Sequence, residues 1–196
     1  MEDKKILWLD TETTGLDPKT NSIIQVAGLV EINGEIKDKF ELKCRPTPGA
    51  VIAPESMSVT GYTEDQINSF PEPNELYKKL NSLFGKYIDK YDRADKFIIA
   101  GYNVQFDVNM LDAFYRSFGD KYLGSYLNFG IKIDVLPLVN ILRYIGHVKT
   151  ENAKLETACK YFNIEIQAHD AFSDIVATRD LFLGAIKKYI TPMEEV

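Results

Sequence analysis

The stretch WLDTETTGLDP, from Trp8 to Pro18, sets two acids, Asp10 and Glu12, directly behind the short apolar run Lys5 to Leu9. A run of that length, closed by the turn signals Gly15 and Asp17-Pro18, predicts a strand buried on both faces. Residues two apart on an extended chain share a face. Asp10 and Glu12 can therefore look at one cation from the carboxyl end of the strand, where open α/β sheets gather ligands. An arbitrary acid pair at a strand end is more often a solvated turn, so distant partners decide between the two readings.

Downstream, Ser22 to Glu31 and Glu35 to Cys44 read as strands joined by Asn33-Gly34, the dipeptide that tolerates the positive φ of a tight hairpin. These predict an antiparallel pair. The proline- and glycine-punctuated segment CRPTPGAVIAPESMSVTGYT predicts a loop with at most one helical turn, and a helix is expected from Pro73 to about Tyr87. A short strand at Phe97 to Ala100 leads through Gly101-Tyr102-Asn103, with Asn103 placed to cap a helix running to about Phe118. Ile131 to Ile133 predicts a further strand, and Asp134 caps a helix through Tyr144. Further helices are expected over Asn152 to Phe162 and Ala171 to Ile190. A hairpin followed by β-α alternation predicts a mixed sheet flanked by helices.

Three more groups can join the acid pair. Asp107 shares a helical face with Met110, Leu111 and Phe114, and a carboxylate on a core face calls for a metal or hydrogen bonds. Asp112, off that stripe, reads as solvated. In AHDAFSDIVATRDL, Asp170 caps a helix, Asp174 lies in its first turns, and His169 precedes the cap, from where it can fold back toward the same site. Asp180 is expected to face solvent and His147 to be structural. With two histidines and two cysteines in all, a zinc site of the usual type is not available. Carboxylates must do any ligation, and oxygen donors suit Mg²⁺ or Mn²⁺. Asp10, Glu12, Asp107 and Asp174 could hold two such ions in the arrangement used for phosphoryl displacement.

Composition bounds the rest. A chain of 196 residues, 45% hydrophobic and 27% charged, suits one globular domain over residues 1–196 with its core at about 5–190. No apolar run approaches the roughly 20 residues a bilayer demands, so no membrane partner is expected. A mixed-charge amino terminus without a secretory signal predicts a cytoplasmic location. Cys44 and Cys159 are expected reduced. A net charge of −6 argues against a broad basic grip on duplex nucleic acid.

Taken together, DTETTG from Asp10, YNVQFD ending at Asp107 and HDAFSD from His169 to Asp174 resemble the three motifs of the DEDDh 3′–5′ exonucleases. That family includes the polymerase III epsilon subunit, ribonuclease T and oligoribonuclease. All five signature positions match, and the similarity spans about Lys5 to Tyr189. The resemblance implies a ribonuclease H-like fold of class α/β, with five strands of which the first three are antiparallel. It implies that Asp10, Glu12 and Asp174 hold one divalent cation, Mg²⁺ or Mn²⁺, and that Asp10 and Asp107 serve a second. His169 would be the general base, and nucleoside 5′-monophosphates would leave one at a time.

Thr13, Thr14, Gly15 and Leu16 resemble the family's contacts to the terminal nucleotide. Gly15 also reads as a source of backbone freedom in the turn. Asn103 and Phe106 are further candidate contacts, although Asn103 can simply cap and Phe106 can simply pack. The SVTGYT segment around Thr60 to Tyr62 resembles a family loop near the substrate. The expected partners are single-stranded 3′ ends, DNA favoured over RNA, in proofreading, replication or repair. The alternatives are an exonuclease of RNA or short oligoribonucleotides, and a noncatalytic polymerase- or nucleic-acid-binding module, against which the intact five-residue set argues. The chain lacks the epsilon subunit's carboxyl-terminal extension, so a stand-alone enzyme is expected, with polymerase docking through the domain itself left open. Oligomeric state is not legible.

Overall fold

The structure, a computed structural model, describes residues 3–167 and 170–190. Five strands form one sheet in the order β3-β2-β1-β4-β5. β1 (Lys5–Thr13) pairs antiparallel with β2 (Ile23–Ile32), and β2 pairs antiparallel with β3 (Glu35–Lys43). β4 (Phe97–Gly101) runs parallel to β1, and β5 (Leu127–Asp134) parallel to β4. This is the expected mixed ribonuclease H-like sheet with its first three strands antiparallel. The β2–β3 turn is made by Asn33 and Gly34 at φ 52° and 86°, the positive values a two-residue hairpin requires.

Alternation on β1 sorts its side chains between two cores. Leu7 and Leu9 pack with Val26, Val30 and Ile99 against α3 (Pro73–Tyr87) and α4 (Val104–Ser117). Trp8 lies on the opposite face, packing with Leu29 and Ala100 against α5 (Val135–Tyr144), α6 (Leu155–Phe162) and α7 (Ala171–Tyr189). Asp10 and Glu12 continue the Trp8 face, opposite Ala27 and Gln25 of β2. The acids thus extend an apolar stripe beneath α7. Among the described residues no helix is long and apolar enough to cross a membrane.

The elements depart from the sequence reading in four places. The loop after β3 holds two short helices, α1 (Pro54–Thr60) and α2 (Glu64–Asn68), the second closed by a capping box between Thr63 and Gln66. Asn103 does not cap α4 with its side chain. It takes a left-handed conformation at φ 62°, and its backbone N–H donates to Asp134 Oδ1 at 2.9 Å. α6 begins at Leu155, because Asn152 Oδ1 accepts from Lys154 N at 2.9 Å and holds the preceding residues in a local turn. β5 is longer than Ile131 to Ile133, since its register against β4 jumps between Leu127 and Lys132 across an irregularity. There Asn128 Oδ1 accepts from the backbone N–H groups of both Gly130 and Ile131.

Gly28 marks the tightest approach in the sheet. A Cβ there would meet the Trp8 carbonyl oxygen at 2.5 Å and the Phe40 ring at 2.6 Å. The Gly28→Ala variant should lose about 1–3 kcal/mol of stability, read as a melting temperature lower by roughly 2–12 °C. An unchanged melting temperature would show that the β1–β2 spacing is adjustable.

Candidate active site

Three carboxylates converge where β1 leaves the sheet. Asp10 and Glu12 from β1 and Asp174 from the first turn of α7 each offer an oxygen within 4.8 Å of the others'. α7 is started by Asp170, whose Oδ1 accepts from Ser173 N at 2.9 Å. This cap aims the helix so that Asp174 faces the strand. The fourth predicted acid, Asp107, stands outside that group. It is buried on α4, where its Oδ1 accepts from the Thr11 amide at 3.0 Å and the Thr11 hydroxyl at 2.7 Å. Ladder pairing between β1 and β4 ends at Trp8 and Ala100. Beyond it the Thr11 N–H needs another acceptor, and Asp107 supplies it. His169 lies outside the described residues.

Electrostatics sets these acids apart from the other carboxylates. Desolvation, and then repulsion from Asp174, pushes the Asp10 carboxyl up to about 7. Desolvation, followed by repulsion from Asp10, Asp174 and Asp170, pushes Glu12 up to about 8. Asp107 is raised well above the ordinary carboxylate range by burial and by the neighbouring Asp10, against the hydrogen bonds from Thr11. Asp10 is thus felt by Glu12 within the three-acid group and by Asp107 outside it. Carboxylates crowded this way could hold a divalent cation, and their oxygen donors suit a hard one.

Beside the acids lies a cavity of about 510 Å³ lined by Glu12, Gly15, Leu16, Ala53, Val59 and Phe106, among others. Leu16 is 80% exposed, an apolar side chain left in solvent at the cavity mouth. Phe106 packs on the α3–α4 core, as its packing reading expects, and also lines the cavity. The Thr13 and Thr14 hydroxyls are committed within the chain, donating at 2.7 Å to the carbonyls of Gly15 and Val51. Gly15 is required for space rather than for φ, because a Cβ there would lie 2.3 Å from the Asn21 side chain. Asn21 in turn donates to Val51 O, and Ala53 N donates to Thr14 O. These bonds dock the segment before α1 against the strand-ending turn and make α1 a wall of the cavity. Asn103 is exposed at the head of α4.

Sequence reading missed Thr11 and the start of the α1 wall. Thr11 had a signal in its placement between the two acids, pointing to the opposite face. Val59 and Thr60 of the wall belong to the SVTGYT segment already singled out, whereas Ala53 and Ser56 lie in a stretch without periodicity. The expectations for the bystanders hold. Asp112 pairs with Arg116 on the surface, Asp180 is exposed, and the His147 ring stacks on Tyr189 with centroids 5.1 Å apart.

The raised carboxyls give a pH dependence of defined sign. Between about pH 4 and pH 8 the folded chain keeps protons on Asp10 and Glu12 that the unfolded chain releases, so their contribution to stability falls as pH rises. In chelator, the melting temperature should drop from pH 5 to pH 8, and the drop should flatten in Glu12→Gln. Saturating Mn²⁺ should also flatten it by favouring the ionised form. A slope unchanged by both would contradict the repulsion.

Residues 7–182 match the exonuclease family RNase_T. The DNA polymerase III PolC-type protein of Halalkalibacterium halodurans is 30% identical over 186 residues, and that of Bacillus subtilis 30% over 191. These alignments cover 94% and 95% of this chain but 12% of each polymerase. E. coli exonuclease I in complex with a dT13 oligonucleotide superposes with a TM-score of 0.76 at 24% identity, covering 94% of this chain and 41% of that one. The complex with dA16 gives 0.74 at 25%, with the same coverage. The chain thus belongs to the RNase_T exonuclease family, the DEDDh 3′–5′ exonucleases.

Proposed function

We propose that this protein is a divalent-metal-dependent exonuclease that removes nucleoside 5′-monophosphates from single-stranded or frayed DNA 3′ ends. The observation that carries this reading is the convergence of Asp10, Glu12 and Asp174 beside an open apolar cavity. Acids alone would suit many cation sites. An apolar cavity against them suits a terminal base whose phosphodiester must reach the cations. Support for DNA comes from the polymerases among the relatives and from the oligonucleotides bound to exonuclease I.

In this reading Asp10, Glu12 and Asp174 bind one cation, and Asp10 and Asp107 serve a second, with Thr11 fixing the Asp107 carboxylate. Two bound cations supply Lewis-acid stabilisation to the attacking water and to the departing 3′ oxygen. His169, from the segment before the α7 cap, accepts the proton of the attacking water. Leu16 and Phe106 sandwich the terminal base, and the backbone of Thr13 to Gly15, with Asn103 across the cleft, orients its sugar.

The test is mononucleotide release from labelled single-stranded DNA, RNA and mismatched duplex with Mg²⁺ or Mn²⁺. Release should require metal and be fastest on DNA. Asp10→Ala should lose both metal binding and turnover. His169→Ala should keep metal binding while turnover falls about 10²–10⁴-fold. Phe106→Ala should raise KM roughly 10-fold through lost stacking. Absence of metal-dependent release on every substrate would falsify the proposal, and faster release from RNA would overturn the DNA assignment.

A further inference from the structure

Asp10 and Glu12 ride on β1 and Asp174 on α7, so the centre exists only while strand and helix keep one relative position. A single buried carboxylate fastens the two. Glu31 of β2, 6% exposed, accepts on Oε2 from Trp8 Nε1 at 3.0 Å and from Arg179 Nε at 2.6 Å. Trp8 stands two residues before Asp10 on the same face of β1, diagonal to Glu31 across the β1–β2 ladder. Arg179 follows Asp174 by five residues on α7, about 7.5 Å along the helix axis. The Trp8 ring also meets Phe182 of the same helix, with centroids 5.5 Å apart.

Compared with apolar packing, a buried ion pair contributes little net stability, whereas separating its partners strands a charge away from water. Its effect is therefore on placement. Turning α7 by one residue, about 100°, or sliding it by a turn, about 5.4 Å, would carry Arg179 away from Glu31. Apolar contacts between Leu29, Ile175 and Leu181 are not directional and tolerate such shifts better.

We propose that Glu31, Trp8 and Arg179 are positioning residues for the metal centre: through one shared carboxylate oxygen they set the helix rotation that brings Asp174 to Asp10 and Glu12. The inference rests on the reading that these three acids hold the cation. It assigns a role in cation affinity to side chains that touch neither cation nor substrate.

Calorimetric titration of the metal-free full chain with Mn²⁺ tests it, with melting temperature measured alongside. Arg179→Met should weaken Mn²⁺ binding on the order of 10-fold, and Arg179→Lys less, since it keeps the charge but not the guanidinium geometry. Adding Glu31→Gln to Arg179→Met should weaken binding little further, because both substitutions break the same contact. Nuclease turnover of Arg179→Met should recover when Mn²⁺ is raised, a recovery not expected of a residue acting only on stability. Should Arg179→Met fail to fold, Arg179→Lys and Trp8→Phe carry the same test. Wild-type Mn²⁺ affinity in the folded clamp variants, alongside weakened binding in Asp174→Asn, overturns the clamp alone. Unaltered affinity in Asp174→Asn overturns the three-acid centre and the clamp with it.

Discussion

Like charges do not gather unaided, and the site depends on holding Asp10, Glu12 and Asp174 within 4.8 Å of one another. Desolvation and mutual repulsion oppose that arrangement, displacing the Asp10 and Glu12 carboxyls upward. The rest of the fold supplies the opposing work. Two apolar cores clamp β1 from both faces, and a cap on Asp170 begins α7 where Asp174 must point. The packing that holds the acids together thus extends well beyond their immediate neighbours. Functional sites commonly carry perturbed carboxyls for this reason.

The arrangement also divides labour between the faces of one strand. Even-numbered residues from Trp8 to Glu12 run from core to carboxylate on the α7 side, while Thr11 turns to the other side and secures Asp107. A strand whose alternation separates its two jobs can bring acids from α4 and α7 to one end without either helix crossing the sheet. The left-handed Asn103 turn and the bond its N–H donates to Asp134 then fix where α4 begins, close to the point where β1 and β4 part.

Much of this was legible in the sequence because it is local. The Asn33-Gly34 hairpin, the helix from Pro73 to Tyr87 and the Asp134 and Asp170 caps each depend on residues a few positions apart. So does the apolar stripe that marks Asp107 as anomalous. What stayed hidden links distant positions. Arg179 and Glu31 are 148 residues apart, and neither lies in a stretch whose pattern betrays a buried charge. The role of Gly15 was misplaced for a related reason: a turn glycine suggests φ freedom, and only the three-dimensional approach of Asn21 reveals a demand for space. The α1 wall needed the hydrogen bonds between Thr14 and the segment at Val51 and Ala53, which no periodicity encodes.

The two margins of the sheet are finished differently, and both finishes discourage an extra strand. β3 presents alternating Lys37, Asp38, Lys39 and Glu41 along its length, side chains that an incoming strand would have to desolvate. On β5 the irregularity at Asn128 takes up the amides of Gly130 and Ile131, leaving no continuous row of donors to copy. Backbone-templated association is thereby discouraged on either flank. A companion polypeptide that instead met helices, loops and side-chain chemistry would have its selectivity written in surface residues that can change without disturbing the sheet that carries Asp10 and Glu12.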